Sequence, residues 1–130
     1  MHRVFLDANV LFSAAYRADS GLLRLWALPG VTLLTSSYAR EEARVNLAAR
    51  DQLARLNKLL EEMEIVDRLA QLPTHIKLPE KDQPILQAAL AAGATHLLTG
   101  DKRDFGHLFG KRVEGVLILL PAEYFIQRLK

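Results

Sequence analysis

Hydrophobic positions along the chain fall into two alternating patterns. VFL (4–6), VTLLT (31–35), EIV (64–66), HLLT (96–99) and VLILL (116–120) are short apolar runs, too short for helices and near-continuous rather than alternating. Such runs read as strands buried on both faces, with EIV the weakest. Between them the apolar residues move to a three- and four-residue step. Leu47, Leu53, Leu56, Leu59, Leu60 and Met63 follow it, which predicts a helical pair over 37–49 and 51–63. Helices are also expected over 8–17, 20–28, 83–92 and from Pro121 to the C-terminus. The local stop and start signals agree: Ser20 opens a segment that the Pro29-Gly30 pair ends, and Ser36 or Ser37 is placed to cap the helix after the second strand. Asp82 is placed to cap 83–92 with Pro84 in the first turn, and Gly93 fits that helix's C′ position. Residues 67–80, with Pro73 and Pro79, form a connector.

Strands that alternate with helices and are apolar throughout predict a parallel sheet covered on both faces. The expected architecture is therefore α/β, a single-domain three-layer α/β/α sandwich over residues 1–130 with a central, mainly parallel sheet of about five strands. No internal repeat, low-complexity stretch or linker interrupts it. In such sheets, sites form beyond the carboxyl ends of the strands, where the chain direction switches.

The acids fall at those ends. Asp7 follows the first strand directly, Asp101 follows the fourth after one glycine, and Asp104 comes three residues later. Glu41 and Glu42 lie early in the helix after the second strand, and Asp82 begins the helix that feeds the fourth. Each acid alone also suits a turn, a cap or a solvated helix start. Together they would repel one another and raise each other's pKa unless a cation joined them. The chain has no cysteine, and His2, His75, His96 and His107 show no paired ligand spacing, so zinc is not expected. An oxygen-only set favours a hard ion, Mg2+ or Mn2+. Water activated by such an ion can attack a phosphodiester.

Composition narrows the setting without deciding the function. Half of the 130 residues are hydrophobic and a quarter charged, which suits a water-soluble globular domain. No apolar run approaches a membrane span, and the N-terminus meets Asp7 before any signal-like stretch, so a cytoplasmic location and no membrane partner are expected. GHLFGK (106–111) is too short for a phosphate loop and lacks the hydroxyl after its lysine. Once Asp7, Glu42, Asp82, Asp101 and Asp104 are set aside, 17 basic residues face 10 acidic ones, a balance of +7. That surplus suits a phosphate backbone, with Arg40, Arg44, Lys102, Arg103, Lys111 and Arg112 nearest the proposed edge. Tyr16 and Tyr38 could stack on bases, but core packing is the stronger expectation for both. Leu22, Leu25 and Trp26 form an apolar stripe, read as core with some interface.

Four stretches, VFLDANVLFSA (4–14), SSYAREEARVNL (36–47), KDQPILQAALAAGATHLLTGDKRDF (81–105) and VLILLPAEYF (116–125), resemble the PIN domain family, including VapC-like toxins, over nearly the whole chain. The third stretch is the most specific: a helix Asp, an alanine-rich helix, an apolar strand and a TGD-x-x-D-F ending. The resemblance implies a compact α/β nuclease that uses Mg2+ or Mn2+ to hydrolyse RNA, leaving 5′-phosphate and 3′-hydroxyl ends. It maps the catalytic acids onto Asp7, Glu42, Asp82 and Asp101, with Asp104 as an additional acid that some members carry. The metal set it implies is Asp7, Asp82, Asp101 and Asp104. Its spacing selects Glu42 over the adjacent Glu41, and it gives Asn9 and Thr99 supporting hydrogen bonds to the acids. It also implies an RNA substrate and a homodimer, and leaves two roles open, a toxin neutralised by a small antitoxin protein or a free-standing RNA-processing nuclease. Two alternatives stand beside it. One is a catalytically idle PIN-like module that only binds nucleic acid. The other is a receiver-type signalling domain, for which the fifth strand would need a following lysine where this chain has Pro121.

Overall fold

The structure, a computed structural model, describes residues 1–129. A six-stranded sheet runs in the order β3-β2-β1-β4-β6-β5. Its strands are β1 (His2–Leu6), β2 (Val31–Thr35), β3 (Glu64–Ile65), β4 (His96–Leu98), β5 (Arg112–Val113) and β6 (Val116–Leu119). All neighbours are parallel except β5 with β6. The expected sheet of about five parallel strands is present, and the sixth is an antiparallel edge the apolar pattern does not announce. Val113 and Val116 pair across Glu114-Gly115. Both turn residues have positive φ, 48° and 88°, which is the hairpin turn that matches strand twist.

The chain winds outward through β1, β2 and β3, then returns to β4 and β6 on the other side of β1. With right-handed crossovers this places helices on both faces of the sheet. They are α1 (Ala8–Tyr16), α2 (Ser37–Asn46), α3 (Arg50–Glu61), α4 (Gln83–Ala91), the short α5 (Lys102–Phe105) and α6 (Pro121–Arg128). The winding sense reverses between β1 and β4, so the switch point lies where Asp7 and Thr99 leave the sheet. The core is formed by the strand residues predicted to be buried: Val4, Phe5 and Leu6, Leu33 and Leu34, Leu97 and Leu98, and Val116 to Leu119 are all buried.

Two local expectations change. The segment expected as a helix over 20–28 is a 3₁₀ helix, Gly21–Ala27, held at its start by Ser20 Oγ, which accepts from the Leu22 N–H. Three residues per turn put Leu22 and Leu25 on one side. Leu25 is buried, while Leu22 and Trp26 pack against the core, and the Trp26 indole N–H donates to the Leu59 carbonyl at 3.1 Å. The apolar stripe is thus core. Of the two capping candidates after β2, Ser36 caps α2, accepting from the Ala39 N–H at 3.1 Å. Ser37 instead donates to Asp67. Among the described residues, no helix is long and apolar enough to cross a membrane.

Candidate active site

Asp7 is the first residue beyond the central strand, and its N–H extends the ladder to the Leu98 carbonyl at 3.1 Å. Its side chain is only 5% exposed. One oxygen accepts from the Ala8 N–H at 2.6 Å, capping α1. The other accepts from the Thr99 hydroxyl at 2.8 Å and the Asn9 amide at 3.3 Å. Burial pushes the carboxyl up from 3.8 to about 6; these hydrogen bonds pull against that, and the charges of Glu42 and Asp101 add to it.

Thr99 and Asn9 tie the two central strands together at this point. While donating to Asp7, the Thr99 hydroxyl accepts from the Asn9 amide at 3.2 Å and from the Asp101 N–H at 3.1 Å. Asn9 Oδ1 accepts from the Gly100 N–H at 2.8 Å. A Cβ at position 100 would lie 3.3 Å from that same oxygen, so glycine is what allows the close approach. Asp101 then turns the chain into α5, its Oδ1 accepting from the Asp104 N–H at 3.0 Å.

Asp82 differs from its sequence expectation. It occupies the N-cap position of α4, yet its side chain makes no capping bond. The reason is backbone geometry. Residue 82 is already near-helical (φ −97°, ψ −16°), Pro84 has no N–H to offer, and the Ile85 N–H is taken by the backbone carbonyl of Asp82 itself at 3.2 Å. The carboxylate is left free to face the acids. Lys81 lies between Asp82 and Asp104, its Nζ 3.3 Å from the first and 3.1 Å from the second. Burial, and then the neighbouring Asp104 carboxyl, raise Asp82 to about 6, whereas the Lys81 contact lowers Asp104. The same two acids raise the Lys81 ammonium above its ordinary value.

Asp7, Asn9, Glu42, Lys81, Asp82 and Asp101 line one cleft of about 450 Å³, together with Phe12 and Asn46. Glu42 is half-buried, and its carboxyl is raised first by burial and then by the charge of Asp82. Glu41 points to solvent in a two-pronged ion pair with Arg44, whose Nε donates at 2.9 Å. Adjacent helical residues point about 100° apart, so one glutamate faces the cleft and the other cannot. Carboxylate oxygens of Asp82, Asp101 and Asp104 lie within 4.8 Å of one another, the one such acid group among the described residues.

The basic residues divide. Arg103 lines the space that adjoins the cleft. Arg40, Arg44 and Lys102 are exposed and lie outside the cleft lining. Arg112 is at the wrong edge: it pairs with Leu117, which is level with His96 at the amino end of β4. Both tyrosines overturn the core expectation. Tyr16 is 50% and Tyr38 39% exposed, and the Tyr38 hydroxyl donates to the Lys81 carbonyl at 2.6 Å beside the acids. Lys81 is the site residue that sequence reasoning missed. Its only signal was direct adjacency to Asp82.

A two-sided α/β sheet with four segments delivering acids to its switch point defines the class, and the family follows from comparison. The model of the PIN domain matches residues 3–103, and the chain belongs to that family. No curated protein sequence matches it. Among solved structures it is similar to VapBC2 from Rickettsia felis bound to a DNA fragment from their promoter, with a TM-score of 0.67 and 18% identity over 89% of this chain and 96% of that one. It is also similar to VapBC-1 from nontypeable Haemophilus influenzae (TM-score 0.58, 15% identity, 92% and 98% covered). A third is FitAB bound to the IR36 DNA fragment (TM-score 0.55, 16% identity, 91% and 94% covered). Membership of this family displaces the receiver-type reading.

Proposed function

We propose that this chain is a divalent-metal-dependent endoribonuclease, the toxin half of a toxin–antitoxin pair. The observation that carries the reading is the convergence of Asp7, Glu42, Asp82 and Asp101, from four separate elements, on one cleft at the switch point of a PIN domain. Asp7 and Asp82, both raised to about 6 chiefly by burial, and a Lys81 ammonium already drawn to Asp82 and Asp104, support a site that favours positive charge.

The donor set fits a hard divalent ion. It is all oxygen, and the Asp82, Asp101 and Asp104 oxygens are close enough to share one ligand. Asp7, Asp82, Asp101 and Asp104 would hold Mg2+ or Mn2+, which when bound activates water and offsets charge on a phosphoryl oxygen. The chain's own groups do the rest. Thr99 and Asn9 fix the Asp7 carboxylate by hydrogen bonds, so its oxygens need no reorganisation when substrate arrives. Glu42, on the cleft wall and with a raised pKa, is placed to orient an attacking water and take its proton. Arg103 is the basic residue best placed to meet the phosphate backbone. Lys102 is a secondary contact in this reading, whereas Arg40 and Arg44 are engaged by Ser37 and Glu41 and are given no contact in it.

An antitoxin partner follows from the resemblance to VapC-like toxins and from the VapBC assemblies among the structural neighbours. A homodimer and a cytoplasmic setting belong to the same reading. Exposed Ile126 and Leu129 at the end of α6 supply apolar surface for self-association. The deciding experiment is incubation of purified protein with single-stranded and structured RNA in Mg2+ or Mn2+, with chelator and Asp101→Asn as controls. Cleavage that both controls abolish is expected. No cleavage with RNA still bound would replace the nuclease with the binding module, and cleavage that persists in chelator would overturn the metal-dependent mechanism. Light scattering of the pure protein reads the dimer.

A further inference from the structure

The acid cleft does not end at Asp101. A space of about 500 Å³ adjoins it, lined by Pro79, Lys81, Asp101, Arg103 and Asp104. A second, of about 520 Å³, shares Pro79, Arg103 and Asp104 with the first and runs on to Lys77 and His107. Shared linings make this one groove. It leaves the acids over the start of α4 and passes between the end of the connector and α5.

The charges around the cleft are uneven. On the α2 side, Glu41 engages Arg44, and Arg40 leans on Ser37, which is bound to Asp67. Their positive charge is spent locally: the Arg44 hydrogen bond lowers the Glu41 carboxyl, while Asp67 is lowered first by its hydrogen bonds from Ser37 and only then by the charge of Arg40. On the groove side, Lys77 and Arg103 are exposed and form no ion pair among the described residues. Two acids line the groove: Asp101, where it meets the cleft, and Asp104, which Lys81 contacts at 3.1 Å; beyond them its charged side chains are the cations of Lys77 and Arg103. The groove is thus the basic approach to an acidic cleft, and the α2 face is not.

We infer that this groove carries the backbone of single-stranded RNA into the acid cleft, with Lys77 and Arg103 as its phosphate contacts. A single strand can track a basic groove with its backbone, and Lys77 and Arg103 stand along this one in the order leading to the acids. The assignment rests on the proposed nuclease reading and gives it a direction: the strand enters past α5 and the connector, not past α2.

The test is fluorescence anisotropy of a labelled short single-stranded RNA in chelator, over a salt series. Each phosphate contact adds roughly −0.7 to the slope of log affinity against log salt for a single strand. Lys77→Ala and Arg103→Ala should each weaken binding several-fold at low salt and each flatten the slope by roughly 0.7. Arg44→Ala should change neither. Parental affinity and slope in both groove variants would overturn the assignment, as would a loss carried by Arg44→Ala. Duplex RNA binding as tightly as the single strand would overturn the single-strand assignment. The readout is independent of cleavage. Failure of the groove variants beside acid-dependent cleavage removes only the groove. Cleavage that survives Asp101→Asn removes the nuclease and leaves a binding result standing.

Discussion

Replacing Asp7 with asparagine should change the pH dependence of stability in a way fixed by the buried carboxyl. In the fold its pKa is about 6, against 3.8 for an ordinary aspartate. The folded state therefore holds this proton over a range where the unfolded chain has lost it. The stabilising effect is complete below the ordinary value and is lost as pH rises through about 6. At 1.36 kcal/mol per pH unit, the parent forfeits about 3 kcal/mol across the whole titration. About 2 kcal/mol of that falls between pH 4 and pH 8, because some is already gone at pH 4. An amide at position 7 forfeits none of it. It does place an NH2 group against Asn9 and Thr99, but that cost is the same at every pH. The quantity to measure is the stability difference between Asp7→Asn and parent, by denaturant titration in chelator at the two pH values. The variant should improve on the parent by about 2 kcal/mol more at pH 8 than at pH 4, roughly 5–8 °C in melting temperature for a chain of this size. A difference that is the same at both pH values would refute the reasoning and make Asp7 an ordinary cap of α1.

The remaining predictions probe other parts of the molecule. Glu42→Gln should slow single-turnover RNA cleavage by on the order of a hundredfold, and Glu41→Gln should leave it near parental, because only Glu42 lines the cleft; equal rates in both would remove α2 from the site. Lys81→Gln takes away a cation lying 3.1–3.3 Å from Asp104 and Asp82, so calorimetry should show Mn2+ binding roughly three- to tenfold tighter; weaker binding would make Lys81 a scaffold for the acids. His96 sits buried at the opposite edge with its pKa lowered to about 4 by burial and by His2, so it opposes folding as pH falls from about 6.5 through 4. Melts of His96→Gln should show the variant gaining on the parent by roughly 5 °C across that window, and a constant offset would show that His96 does not titrate with unfolding. Saturating Mn2+ should raise the parent's melting temperature and leave Asp101→Asn nearly unmoved, since ligand binding to the folded state adds to stability.

Much of this molecule is written along the chain. Apolar runs such as 4–6 and 116–119 can only be satisfied between two helical layers, so their continuity fixed the class of fold before any pairing was known. Asp7 and Asp101 were legible because they follow β1 and β4 within three residues, and a parallel sheet puts all such positions on one edge. Other features depended on the fold closing. Asp82 reaches the cleft because α4 runs back against the strands and begins at their carboxyl edge. Its near-helical backbone then withholds the side chain from the capping role that residue type and position suggested. The choice of Glu42 over Glu41 depends on which face of α2 meets the sheet, and the two faces differ by about 100°. Arg112, close to the acids in the sequence reading, ends at the other edge because an unannounced hairpin turns β5 antiparallel. Lys81 and the two exposed tyrosines belong with these cases. Hydrophobic spacing records which side of an element is buried. It does not record which distant element lies opposite, and that is set only when sheet order and helix crossovers bring separated segments together.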